Sequence, residues 1–333
     1  MTEPADNPVF DIATAYRKTA ALIAAVKLDL FTAIGPEKAS LDHLASKTGA
    51  STRGLRILCD YLVSLGLLKK QDLDYLPTNV SKIFLDESSP FAMGRSIEFL
   101  AAPEMLDLFL NDPAAYVLRG GSDGLAQVAP DSPIWVRFAK AMMPFAAPAA
   151  KRVAMHLSTQ GEAPFTVLDI AAGHGLYGIE VAKAFPEALV TSIDWAEVLT
   201  VAKTNAEKAG VADRIRMVAG NALELDWGGD YDLILLPNFL HHFDFDTCIS
   251  LLSKVRENLS SDGQVIGVDF VPNEDRISPP VPVMFAFQML ATTPSGDAYT
   301  TSELDVMAKK AGFLGAETRS LSPIPESLIL FKT

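Results

Sequence analysis

Two groups of residues in this 333-residue chain have types and spacing suited to chemistry. The first is Gly173-His174-Gly175-Leu176-Tyr177-Gly178, which follows Asp169 and precedes Asp194 by about twenty residues. Glycines at this spacing let a ligand approach the backbone, and an acid at this distance can grip ribose hydroxyls. Both NAD and S-adenosylmethionine (SAM) enzymes use such a turn. The second is LPNFLHHFD, residues 236–244, with His241 and His242 adjacent and Asp244 and Asp246 close behind. A free imidazole titrates near 6.5, so at pH 7 it is mostly neutral and can take a proton. A His/Asp cluster also raises the question of a metal. Adjacent ligands in one short loop rarely converge on one ion, so no metal is expected.

Three features favour SAM over NAD. Asp169 stands at the end of a strand-like run, where a carboxylate would repel a pyrophosphate but suit a cationic amino-acid moiety. The nucleotide-binding pattern starts only after about 160 residues and runs nearly to the C-terminus, leaving no later domain to meet a nicotinamide. LPNFLHHFD then places polar groups at the carboxyl edge of the sheet, where such folds bind ligands.

The elements that must position these residues form three stretches. Residues 1–90 read as short helices and a hairpin. Phe10–Ile34 is apolar on more than one side, which suggests burial by a second chain. Ser40 and Ser51 are placed to cap helices that Gly49 and Gly66 end, with Leu55, Leu58, Leu62 and Leu65 in one stripe. LLKKQDLDYLPTN then has strand–turn–strand character, and helices followed by a hairpin describe a winged helix. Residues 91–160 read as a helical connector, broken at Pro103, at Pro113 and in two loops, with a Met/aromatic stripe from Trp135 to Met155. In residues 161–333, TVLDI, LVTSID, RIRMVAG, YDLILLP and QVIGVDF alternate with helical segments. Gly210 ends one helix, and Asp262-Gly263 turns the chain into the fifth strand. Near-continuous apolar strands alternating with helices imply an α/β, doubly wound parallel sheet.

Composition narrows the function. A formal charge of −13 counts against a protein that grips phosphate backbones. Two cysteines, Cys59 and Cys248, exclude a disulfide scaffold and fit a reducing compartment. The polar, acidic start MTEPADNPVFD is no signal peptide, and no apolar run reaches the length of a membrane span, so a cytoplasmic protein is expected.

In combination, VLDIAAGHG, SIDW, VAGNA, LPNFLHHFD, VDFVP and MLATTPSGDAYTTSELDVMAKKAGF resemble the class I SAM-dependent small-molecule O-methyltransferases. The likeness is to the dimeric subgroup with an N-terminal winged-helix dimerisation domain, as in plant caffeate O-methyltransferase-like and bacterial secondary-metabolite enzymes, and it covers nearly the whole chain. It implies a Rossmann-like domain that binds SAM, a homodimer, and a small aromatic or secondary-metabolite acceptor. By this resemblance Gly173 and Gly175 approach the methionine part of the donor, and Asp194 binds its ribose. Trp195 covers the adenine, Asn221 accepts from the adenine amino group, and Ala222 and Asn238 complete the donor set with Asp169. His241 falls at the general base and Asp269 at its orienting acid. The family's second framing acid falls at Ala298, with Asp297 as a neighbouring substitute. Phe138, Met142, Phe285 and Met289 fall at acceptor-lining positions. Ala171 replaces the family's first glycine, which implies a less extreme turn there. His174 reads as a solvent-facing loop residue, and His242 as a packing residue.

Other readings stay open at this point. The same fold methylates nitrogen, sulfur or carbon, and a relative lacking an acid at 298 could bind the donor without transferring methyl. A winged-helix DNA-binding regulator would have to read DNA with Arg53 and Arg56, against Asp60 and an acidic whole.

Overall fold

The computed structural model describes residues 8–161 and 164–333, so most of the polar N-terminal segment, residues 1–7, lies outside the described residues. The chain divides into two compact units, up to Leu106 and from Asp107 onward.

The first unit is helical with one hairpin. The apolar N-terminal stretch breaks into α1 (Pro8–Ala13), α2 (Tyr16–Lys27) and α3 (Leu30–Ile34), the last break falling at Asp29 with φ +49°. Ser40 and Ser51 cap α4 (Leu41–Thr48) and α5 (Thr52–Ser64) through their side-chain oxygens, which accept from His43 N and Gly54 N. Strands β1 (Leu68–Gln71) and β2 (Asp74–Pro77) pair antiparallel, and α6 (Asn79–Phe84) and α7 (Gly94–Leu100) follow. Leu30, Phe31, Leu44, Leu55, Cys59, Leu62, Leu68 and Tyr75 close its core. The basic residues a DNA reader would need are partly consumed here: Asp60 accepts from Arg56 at 3.1 Å, Lys70 at 2.6 Å and the Tyr75 hydroxyl at 2.7 Å.

Beyond α8 (Pro103–Leu110), which spans the division, come α9 (Pro113–Arg119) and the 28-residue α10 (Pro133–Gln160). The expected proline breaks are helix starts, because a first-turn proline gives up no hydrogen bond. Pro144 and Pro148 lie inside α10 all the same. Its buried face of small residues, Ala139, Ala141, Ala146, Ala149, Ala150 and Ala154, keeps the helix packed where those two N–H groups are missing.

The second unit contains β3 (Thr166–Ile170), α11 (Leu176–Ala184), β4 (Leu189–Asp194), α12 (Ala196–Ala209), β5 (Ile215–Ala219) and β6 (Tyr231–Pro237). Then follow α13 (Phe245–Glu257), β7 (Leu259–Asp269), α14 (Pro280–Thr292), α15 (Thr301–Lys310), β8 (Gly315–Ser320) and β9 (Ser327–Lys332). They form a seven-stranded sheet in the order β5-β4-β3-β6-β7-β9-β8, with apolar layers on both faces. The α/β doubly wound architecture stands, with two corrections. The sheet is not purely parallel: β9 runs antiparallel to both β7 and β8. SLILFK is as apolar as the other strands, and composition carries no direction. Asp262-Gly263 makes no turn before the fifth strand but lies within β7, where pairing passes from Tyr231↔Leu259 to Leu233↔Gln264 around an irregularity. Strand order reverses between β3 and β6, so their carboxyl ends open the crevice where ligands bind in such sheets. Among the described residues, no helix is long and apolar enough to cross a membrane.

Candidate active site

The glycine loop lies between β3 and α11. Ala171 takes φ +52°, so the turn is as left-handed as a glycine would make it; the milder turn implied by the resemblance is not found. At Gly173 (φ +57°) a Cβ would meet only the Ala171 carbonyl oxygen, at 3.9 Å, so little but that oxygen stands beside its backbone. At Gly178, by contrast, a Cβ would lie 2.8 Å from Val190 Cγ1 and 3.0 Å from Asp169 Oδ2, so that glycine serves packing of helix on strand.

Two acids, Asp169 and Asp194, and the amide of Asn238 bond to this loop and the helix after it. Asp169 is fully buried; Oδ2 accepts from Gly178 N at 3.1 Å, and Oδ1 has no hydrogen-bond partner. Burial pushes its carboxyl up to about 7. Asp194 ties the loop to β4: Oδ2 accepts from Gly173 N at 2.8 Å and Oδ1 from Trp195 N at 2.7 Å, each oxygen keeping a lone pair for a ligand hydroxyl. Asn238, at φ +52° after β6, donates through Nδ2 to the Tyr177 hydroxyl at 3.4 Å, and its buried Oδ1 is unpartnered. Glu326, on the approach to β9, also has a buried, unpartnered Oε2 and a carboxyl raised by burial. Nothing in the sequence marked it, since a lone acid before a strand has no motif.

His174 is not solvent-facing. It is 8% exposed; Nδ1 accepts from Leu176 N at 3.2 Å, and its carbonyl accepts from Asn205 Nδ2 at 2.8 Å. Burial pushes the imidazole down to about 4, so it stays neutral, with its proton on Nε2. Trp195 packs with Trp135, Val136, Met143, Ala139, Val198 and Val201 between α10 and α12. Asn221 uses its side-chain oxygen to accept from Leu223 N at 3.0 Å and its nitrogen to donate to Glu224 Oε1 at 2.9 Å. One lone pair of that oxygen remains for a ligand. Ala222 beside it is buried.

His241 and Asp269 meet directly, with no water needed to span the shorter side chain of the aspartate. His241 sits on a 3-10 turn after β6, Asp269 closes β7, and Nδ1 and Oδ1 are 2.7 Å apart with both side chains buried. A carboxylate only accepts, so Nδ1 carries the proton and Nε2 presents a lone pair. Phe285 and Met289 of α14 are buried with Ala298, the half-buried Phe270 packs against them, and the Phe285 ring meets that of His241 edge-to-face at 4.7 Å. Phe138 and Met142 stand on α10, each half-buried. The His242 ring packs 4.3 Å from that of His241.

Asp297 does not stand in for the absent acid; it pairs with Arg276 at 3.3 Å, and Arg276 also pairs with Glu303. Its neighbour Gly296 carries no motif that would single it out. A Cβ there would lie 2.2 Å from the His241 carbonyl oxygen, so this loop presses against the histidine's backbone. Asp244 caps α13 by accepting from Thr247 N at 2.8 Å. Among the described residues, no group of three or more His, Cys, Asp or Glu is placed to hold a metal ion. Both cysteines are buried and unpaired.

A polar cradle at the switch point and a His–Asp pair at the neighbouring strand ends are what a transfer of a group from a nucleotide donor requires. Comparison with known proteins decides the matter. An O-methyltransferase domain model matches residues 137–314, and an O-methyltransferase dimerisation domain model matches residues 10–87. The chain belongs to the O-methyltransferase family. Among solved structures it is similar to an O-methyltransferase assignment from Nostoc punctiforme PCC 73102, at 46% identity, TM-score 0.93 and full coverage of both chains. It shares its fold with human N-acetylserotonin methyltransferase in complex with SAM, at 20% identity, TM-score 0.83 and 99% coverage of each chain. Among characterised relatives it is 24% identical to the tetracenomycin polyketide synthesis 8-O-methyl transferase of Streptomyces glaucescens, over 97% of this chain and 95% of that one.

Proposed function

We propose that this O-methyltransferase moves a methyl group from SAM to a hydroxyl of a small aromatic or secondary-metabolite acceptor, with His241 as general base. The observation that carries the reading is the buried His241–Asp269 pair, 2.7 Å apart at the carboxyl edge of the sheet. It leaves Nε2 as the proton-accepting atom beside an apolar wall.

The residues present fit the donor. Asp169 Oδ1 and Asn238 Oδ1 are buried acceptors lacking partners, as a cationic amino acid needs, and Gly173 leaves its backbone clear. Asp194 would hold the ribose hydroxyls, Trp195 would flank the adenine, and Asn221 with Ala222 would border its edge. SAM supplies, when bound, an electrophilic methyl on a sulfonium. The protein's own work is positioning, exclusion of water and removal of one proton. A phenol near pKa 10 loses its proton to Nε2 as the new bond forms, and Asp269 stabilises the resulting imidazolium. Positioning supplies on the order of 7–11 kcal/mol in the most favourable cases. Met289, Phe138 and Met142 would line the acceptor side, an apolar set suited to a flat ring, while the Phe285 ring packs on His241.

We also read the chain as a homodimer joined through the N-terminal unit, supported by its dimerisation-domain match and by the exposure of Val9, Phe10, Ile12 and Tyr16 on the single chain. Incubating the protein with SAM and a panel of phenols, naphthols and hydroxyquinones tests the reading. Methyl ether by mass spectrometry, in step with S-adenosylhomocysteine, is the expected product. Methylated amines or thiols, formed with hydroxyl acceptors untouched, would overturn the oxygen assignment.

A further inference from the structure

Among the described residues, one polar contact holds the imidazole of His241, that of Nδ1 on Asp269 Oδ1. With Cγ held by Cβ and Nδ1 by one hydrogen bond, the ring tilts only through coupled changes in χ1 and χ2, and such a tilt moves Nε2. Residue 298, which packs against this region, is an alanine with no polar group to supply a second bond, and it is 1% exposed.

Two aromatic rings flank the imidazole. Phe285 meets it at 4.7 Å with the planes 81° apart, and His242 lies at 4.3 Å with the planes 52° apart. Phe285 is itself braced, because Phe270 stacks on it at 4.0 Å and 26°. Phe270 also donates its backbone N–H to Asp269 Oδ1 at 2.9 Å, so consecutive residues supply both the acid and the brace. Phe285 is buried, and its ring contacts those of both His241 and Phe270.

We propose that Phe285 is a positioning residue for the methyl transfer: braced by Phe270, its ring holds the His241 imidazole in the plane that aims Nε2 at the acceptor. The catalytic part of this inference rests on the reading of His241 as base; the positioning part does not. Edge-to-face contact suits the pair, since ring edges are positive and faces negative. A side chain of similar volume without a ring fills the space but leaves the tilt unopposed.

The experiment compares Phe285→Leu, Phe285→Tyr and His241→Gln in the full chain, by NMR and by steady-state kinetics. The hydrogen-bonded Nδ1 proton of His241 gives a downfield resonance that is assigned by its loss in His241→Gln. In Phe285→Leu this resonance broadens or disappears, kcat falls about tenfold, and acceptor KM and donor Kd stay within about twofold. Phe285→Tyr, which keeps the ring, restores both resonance and kcat. A resonance unchanged in Phe285→Leu, or an effect carried wholly by acceptor KM, would overturn the proposal. Should Phe285→Leu fail to fold, Phe270→Leu removes only the brace and must show the same two changes in smaller measure. Normal turnover by His241→Gln would refute the base assignment, while the resonance still decides whether Phe285 positions the ring.

Discussion

Asp169 at the end of β3 and His174 in the glycine loop, five residues apart, are buried with opposite consequences for their protons. Desolvation disfavours the charged form of each, raising the acid to about 7 and lowering the imidazole to about 4. Asp169 therefore contributes stability that is present at low pH and lost as pH climbs from about 4 to about 7. His174 contributes stability that is present above about 6.5 and lost as pH falls toward about 4. Across the shared window the two slopes oppose each other. Relative to wild type, Asp169→Asn should gain stability as pH rises through that window, and His174→Gln should gain it as pH falls. Each tenfold change in proton affinity between the folded and unfolded chain is worth about 1.4 kcal/mol. Thermal unfolding across a buffer series at constant ionic strength reads both. Curves parallel to wild type for both variants would show that neither group titrates as its burial requires.

Between residue and fold stand the elements, and their legibility in the sequence is uneven. Capping serines, glycine stops and the β3–β7 runs are readable because each follows a local rule of hydrogen bonding or periodicity. Ala171 defies its residue type because the surrounding β3–α11 connection imposes φ +52° on a residue that does not prefer it. His174 leaves the solvent because its burial depends on α12, which supplies Asn205 from 31 residues away. Gly296 carries no signal, since its importance lies in a close approach to the His241 carbonyl. Its space rather than its φ excludes a side chain, so Gly296→Ala must push the 293–298 loop off the histidine. A tenfold or greater fall in kcat with donor Kd unchanged is the expected outcome, by turnover assay and calorimetry. Full turnover in that variant would show that the contact is only packing.

At the scale of the molecule, the N-terminal unit and the acidic charge have one explanation. The unit has helices and a hairpin in the order of a winged helix, yet Asp60 ties up Arg56 and Lys70, and the chain carries −13 overall. In α1, Val9, Phe10 and Ile12 are apolar and exposed, at 71%, 62% and 75%. A surface of that kind suits a protein partner better than a phosphate backbone. Phe10→Glu with Ile12→Glu should therefore shift the protein from dimer to monomer in sedimentation at micromolar concentration. An unchanged sedimentation coefficient, or a monomeric wild type, would contradict the reading.

The claim on which the rest depends is that His241 takes the acceptor's proton. Turnover and donor affinity measured side by side on His241→Ala test it most directly. A loss of about 10²–10⁴-fold in kcat, with SAM binding by calorimetry unchanged, is the result predicted. Turnover within about threefold of wild type would contradict it, because that loss is what an essential general base supplies.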